Sequence, residues 1–314
     1  MADVKKKATR ESYGEALTEL AEKYPNLVVL DADLAAATKT AIFKKAYPER
    51  FFDCGIAEAN MMGVAAGLAA SGMIPFASTF AMFAAGRAYE IVRNSIGYPN
   101  LNVKIGATHA GISVGEDGAT HQCNEDIALM RTIPNMTVIV PCDDVEAKAA
   151  VEAAIKYQGP VYMRFGRLAV PVLNQAENYK FEWGKGVTLR DGEDITIIAT
   201  GLMVAEAVQA SDILREQGIS ARVINIHTIK PIDEEIICKS ARETGKIITV
   251  EEHSIIGGLG SAVAECVCQN CPVPVFRIGV NDVFGYSGPA VDLLKEFGLC
   301  SENIIATVKK VLNK

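Results

Sequence analysis

Residues 59–86 read ANMMGVAAGLAASGMIPFASTFAMFAAG, 28 positions without a charged side chain. A run of this length exceeds the roughly 20 apolar residues of a bilayer-spanning helix, so it is either a membrane span or a deeply buried folded unit. Its interior decides the matter. Gly63, Gly67, Gly72 and Gly86, the many alanines, Ser78 and Thr79 dilute its hydrophobicity, while Ser71-Gly72 and Pro75 cut it into a helix, a turn and a short strand. We expect a buried helix–strand unit and no membrane span.

Outward from that unit the same alternation continues. Tyr13, Ala16, Leu17, Leu20 and Ala21 fall on one helical stripe, and 27–30 is a short apolar run ending at Asp31-Ala32-Asp33. Strand-like runs follow at 51–54, 74–77, 103–106, 136–140 and 161–165, with helical stretches at 58–70, 84–97, 123–131 and 143–157. Residues 168–192 hold Pro171, the single Trp183 and no clean period. A second alternating set runs through strands at 195–200, 221–226, 247–250 and 275–278, with helices at 203–217, 232–243, 258–269, 289–297 and 301–313. Such alternation predicts parallel sheets covered by helices on both faces. The expected fold class is therefore two doubly wound α/β domains with mainly parallel sheets, at 1–170 and 193–314, joined by a linker at 171–192.

Composition agrees with two domains in 314 residues. With 49% hydrophobic and 22% charged residues the chain can bury a core in each, which excludes extensive disorder. A net charge of −7 argues against a broad nucleic-acid footprint. Eight cysteines are too dilute for a disulfide scaffold, and no apolar stretch follows the N-terminal basic residues, so we expect no secretory leader and a reducing cytoplasm. Cys266, Cys268 and Cys271 have the spacing of a partial metal site but lack a fourth ligand; buried thiols at a helix end are the plainer expectation.

Glu58, in Gly55-Ile56-Ala57-Glu58, opens the uncharged segment. A carboxylate there is either a partner of the helix N-terminus or a functional group beside an apolar cavity, and position alone favours the former. The stretch 108–122, THAGISVGEDGATHQ, follows a strand and precedes a helix, where α/β proteins place ligands. It carries His109 and His121, two of four histidines, together with Asp117. Proton exchange near neutrality and an ordinary surface loop are both open on these residues alone. Gly257-Gly258-Leu259-Gly260 lacks the rest of a dinucleotide fingerprint, and close helix–strand packing explains it.

Taken together, Gly55-Ile56-Ala57-Glu58, Ser78-Thr79-Phe80-Ala81-Met82-Phe83, Gly115-Glu116-Asp117-Gly118-Ala119-Thr120-His121-Gln122 and Val250-Glu251-Glu252-His253 resemble the C-terminal half of transketolase, in the form in which that enzyme is split into two polypeptides. The resemblance spans nearly the whole chain and implies a pyrimidine-binding domain followed by a transketolase C-terminal domain. It further implies thiamine diphosphate as cofactor and transfer of a two-carbon ketol unit between ketose and aldose phosphates, as in the pentose phosphate pathway. Glu58 would hydrogen-bond the aminopyrimidine N1′ and favour the imino tautomer that deprotonates the thiazolium C2. Phe80 and Phe83 would line the pyrimidine and Asp33 would lie near the cofactor. His121 would act with Glu58 at the reacting centre, Asp117 would read a substrate hydroxyl, and His109, Arg10 and Arg167 would face the phosphate. A serine that some relatives use for phosphate is Ala37 here.

Transketolases anchor the diphosphate through Mg²⁺ at a Gly-Asp-Gly loop, which this chain lacks. The resemblance thus implies no metal ligand on this chain and an N-terminal, diphosphate-binding subunit as partner, most simply in an α2β2 heterotetramer. A 1-deoxyxylulose-5-phosphate synthase-like subunit, a 2-oxo acid dehydrogenase E1 β-like subunit and a non-catalytic regulatory subunit are the alternatives. Glu251, Glu252 and His253 are expected to be architectural and interface-forming, and His227 structural.

Overall fold

The uncharged run folds as helix Glu58–Ala70, a turn at 71–72 and strand Ile74–Phe80. The helix lies on the strand and buries Met61, Met62, Ala65 and Ala66. Among the described residues no helix is long and apolar enough to cross a membrane. The structure, a computed structural model, describes residues 5–314; the first four residues of the N-terminal segment read for a leader lie outside it.

The strands are β1 Lys6–Ala8, β2 Leu27–Asp31, β3 Phe51–Asp53, β4 Ile74–Phe80, β5 Lys104–Thr108, β6 Thr137–Ile139, β7 Val161–Arg164, β8 Ala169–Pro171, β9 Val187–Arg190, β10 Ile195–Ala199, β11 Ala221–Asn225, β12 Thr228–Lys230, β13 Ile247–Ser254 and β14 Val275–Val280. The first large sheet has the order β12-β6-β7-β5-β4-β2-β3 and is parallel except for β12. The second, β14-β13-β10-β11-β9, is parallel except for β9. The fold class is that of two α/β units with mainly parallel sheets. Strand β2 shows why: Val28 and Leu30 enter one core and Leu27 and Val29 another, so both sheet faces are covered.

Several features depart from the sequence reading. First, 168–192 is not structureless: β8 pairs antiparallel with β1, and β9 closes an edge of the second sheet. Second, β12 crosses back to the edge of the first sheet, antiparallel to β6, so the two units share a strand. Third, the stretch at 84–97 is mostly π-helical. Ala88 N–H reaches Phe83 O at 3.0 Å and Tyr98 N–H reaches Arg93 O at 2.8 Å, widened turns that an apolar stripe cannot distinguish from ordinary ones. The helix expected at 123 begins at Asp126, because Cys123 is still paired to Ala110 and accepts from the Gly111 amide at 2.8 Å. Fourth, Cys266 and Cys271 are buried but Cys268 is exposed, two residues turning about 200° around helix Leu259–Asn270. Cys266 Sγ instead lies 3.8 Å from Cys238 Sγ. His227 is fully buried against Phe181, with ring centres 4.4 Å apart.

Candidate functional site

The parallel strands of the first sheet end along one edge, and the residues singled out lie at or just beyond those ends. Asp33 follows β2, Glu58 follows β3, Phe80 closes β4, His109 follows β5 and Arg167 follows β7. Arg10 joins them because helix Thr9–Leu20 is tied to the end of β7: Thr9 Oγ1 accepts the Gly166 amide at 2.9 Å.

His109 is the centre of the cluster. Its backbone is left-handed, φ 55°, a conformation uncommon for a residue with a side chain. The ring stacks on Phe80 with centroids 4.0 Å apart. Arg10 Nη1 lies 3.0 Å from Nε2, and Thr108 Oγ1 lies 2.9 Å from Nδ1. A guanidinium can only donate, so Nε2 accepts and Nδ1–H donates to the threonine. Burial, and then the charges of Arg10, Arg167 and Lys39, push the imidazole pKa down to about 3, so the ring is neutral. Arg10 also donates to Ala37 O at 2.9 Å, and its pKa is lowered by burial despite the nearby Glu11.

Phe80 and Phe83 stack at 5.8 Å, and His121 stands edge-on to both, at 6.4 and 5.5 Å respectively. The Nδ1 of His121 is 2.9 Å from Thr120 Oγ1. Arg164 and Arg167, three residues apart, have different fates. Arg164 is buried and donates from Nε to Asp126 Oδ2 at 2.8 Å, whereas Arg167 is half-buried, donates to Val114 O and pairs with Glu116 at 2.8 Å. Of the two, Arg167 is the less buried, and its charge acts on both Arg10 and His109.

Glu58 is the first residue of its helix and is 7% exposed, yet its carboxylate makes no hydrogen bond or ion pair with any described residue. The end-capping bond is absent. Its helix packs on the π-turn that begins at Phe83. Asp33 and Asp117 are exposed; Asp33 has φ 61°, and its amide donates to Asp53 Oδ1 at 3.2 Å. The buried acid at that strand end is Asp31, bound by Thr38, Thr40 and the Leu34 amide, with burial raising its pKa to about 6.

Sequence reasoning passed over Lys39 and Glu116. Lys39 sits at φ 71° with its backbone against Gly14, where a Cβ would meet the lysine carbonyl oxygen at 2.3 Å. Lys39 is thus the third positive charge acting on His109, after Arg10 and Arg167. A single lysine between two threonines carries no pattern that announces this.

The edge thus offers a buried acid without a partner, a stacked aromatic pair, a neutral histidine and three cations. Comparison with known proteins gives it a family. The model for the transketolase pyrimidine-binding domain matches residues 5–172, and that for the transketolase C-terminal domain matches 184–304. A protein of Methanocaldococcus jannaschii named as a transketolase C-terminal section is 56% identical, over 98% of this chain and 97% of its own. The 6-deoxy-6-sulfo-D-fructose transketolase subunit SqwH of Clostridium sp. is 46% identical over 97% and 94%. Among solved structures, a split gene transketolase, described as an inactive β4 tetramer, superposes with a TM-score of 0.91 at 55% identity, covering 98% of each chain. Human transketolase is 36% identical, with the match covering 98% of this chain but 49% of the human one.

Proposed function

The chain belongs to the transketolase family as the C-terminal, or β, part of a split transketolase, and from that premise we propose that it supplies the pyrimidine half of a thiamine diphosphate site which a separate diphosphate-binding subunit completes. The observation that carries this reading is Glu58, a buried carboxylate bonded to nothing in its own chain. A largely covered acid with no partner in its own chain is placed to bond a ligand brought to that edge.

The residues present fit the cofactor. Glu58 would accept or share a proton with the pyrimidine ring, and Phe80 and Phe83 would wall its face, with Asp33 at the rim. When bound, thiamine diphosphate supplies the stabilised carbon nucleophile that side chains cannot provide. The chain's own part is to orient and to exclude water. His121, edge-on to both phenylalanines, would hold or move a proton at a substrate hydroxyl, and Asp117 would read another hydroxyl. Arg10, His109 and Arg167 would take the phosphate, His109 as a neutral contact between cations. Mg²⁺ would be held by the partner. We take 1–170 and 193–314 as the two domains, an α2β2 complex as the assembly and the cytoplasm as the setting.

A chain spanning 49% of human transketolase supports a second polypeptide, as does a related β assembly described as inactive. The donor sugar is left open by relatives named for sulfofructose and for apulose 4-phosphate. The test is reconstitution with the diphosphate-binding subunit, thiamine diphosphate and Mg²⁺. Ketol transfer from a ketose phosphate is expected in the complex and none from this chain alone. Turnover of pyruvate with an aldose phosphate, or of branched 2-oxo acids, would replace this reading with one of its rivals.

A further inference from the structure

The loop at 109–122, which bears His109, Asp117 and His121, is not held by its own sheet alone. At the carboxyl end of β13, in the second unit, Glu252 is 4% exposed and its Oε1 accepts the Ser113 amide at 2.6 Å. The fit is close: a Cβ on Gly111 would meet Glu252 Cδ at 2.4 Å. Arg164 spans the same boundary, donating from Nη2 to the Glu252 carbonyl oxygen at 2.9 Å while Nε holds Asp126. Further along the loop, Gln122 donates to Tyr286 O at 3.0 Å, and helix Ala290–Glu296 packs on the turn Ile112–Val114.

We propose that Glu252 is a positioning residue for catalysis, a latch from the second α/β unit that fixes the substrate loop of the first through the Ser113 amide. The inference rests on the reading that His109, Asp117 and His121 face substrate. It gives the C-terminal unit a part in the reaction beyond architecture.

The latch responds to pH. The groups facing Glu252 are Arg164 on β7, Asp126 with its Tyr162 hydroxyl partner, and the Ser113 amide. On its own strand, Glu251 is engaged by the Leu259 and Gly260 amides, and His253 lies against Ser254 O and the Ala128 amide. Burial outweighs Arg164 and raises the Glu252 carboxyl to about 7. Above that pH the carboxylate accepts a charge-assisted bond, and below it the neutral acid accepts a weaker one. The loop therefore tightens as pH rises through neutrality.

Glu252→Gln keeps the shape and an acceptor oxygen but removes the charge. In the reconstituted complex we expect kcat/KM at about pH 8 to fall about tenfold to a hundredfold, carried by kcat, with the acidic limb near neutrality lost and the melting temperature little changed. In the wild-type chain, hydrogen-exchange protection of the Ser113 amide should drop about tenfold between about pH 8 and 6, and in the variant it should be low at both. A variant with the wild-type pH profile overturns the latch. So does Ser113 protection in the wild type that ignores pH, a result that does not depend on how the variant folds. If the wild-type complex shows no ketol transfer while Ser113 protection follows the expected pattern, the functional reading falls and the latch stands.

Discussion

Arg10 donates from Nη1 to His109 Nε2 across 3.0 Å, and that bond makes the imidazole a neutral acceptor at the rim of the cleft. Burial, reinforced by the neighbouring cations, keeps the ring from titrating where an ordinary histidine would.

His109 should stay neutral through physiological pH. Its pKa in the fold, about 3, lies below the ordinary 6.5, so the unfolded chain binds the proton first. The stabilisation from the neutral ring is complete above about pH 6.5 and drains away as pH falls from there toward about 3. Nitrogen chemical shifts of the imidazole should be flat from about pH 8 to 5. A midpoint near the ordinary histidine value would contradict a buried, neutral ring beside three cations.

The buried pair of Arg164 and Asp126 should be costly to halve. Asp126 is fully buried, and its Oδ2 takes both the Arg164 Nε–H and the Tyr162 hydroxyl at 2.8 Å. Asp126→Ala leaves a buried guanidinium uncompensated and should cost about 3–5 kcal/mol by denaturant unfolding, whereas Arg164→Met with Asp126→Leu should recover much of that loss. Equal losses for the single and double variants would contradict the pairing.

Glu58→Gln should leave the fold intact, because no described side chain or amide depends on the carboxylate. Ketol transfer by the reconstituted complex should fall about a hundredfold or more, with the melting temperature within a few degrees. Near-normal turnover would remove Glu58 from the chemistry.

Arg167→Met should raise KM for phosphorylated substrates about tenfold, the worth of one charged hydrogen bond, with kcat less affected. Lys39→Ala should act in the same direction and more weakly, since its charge acts on His109 less than those of Arg10 and Arg167 do. Non-phosphorylated analogues should be indifferent to both, and a loss confined to kcat would argue against a phosphate role.

Much of the fold could be read along the chain. Both faces of β2 are covered, so its apolar run is short and continuous, and Ser71-Gly72 ends the helix from Glu58 where expected. The π-turns around Gly86 and Gly97 were not legible. Both glycines are closely packed: a Cβ on Gly86 would meet Met82 Cε at 2.5 Å and one on Gly97 would meet Ile133 Cγ2 at 2.5 Å. The edge strand β12 was missed because three residues in antiparallel pairing leave no period to detect.

Glu58 was conspicuous for a local reason: an acid heading 28 uncharged positions stands out in any reading. Arg167 was singled out by resemblance, and distance separates it from Arg164, because Asp126 lies 2.8 Å from Arg164 while the charge of Arg167 acts on Arg10.

Residue order alone determined two α/β units, a lone acid at a helix start and a glycine-rich loop carrying histidine, since periodicity, turn chemistry and charge are properties of neighbouring positions. Three-dimensional packing settled which groups meet: Lys39 acting on His109, and Glu252 grasping the amide of Ser113, 139 residues away. Electrostatic fields and hydrogen bonds depend on separation in space and on desolvation, and neither quantity is written in the order of residues.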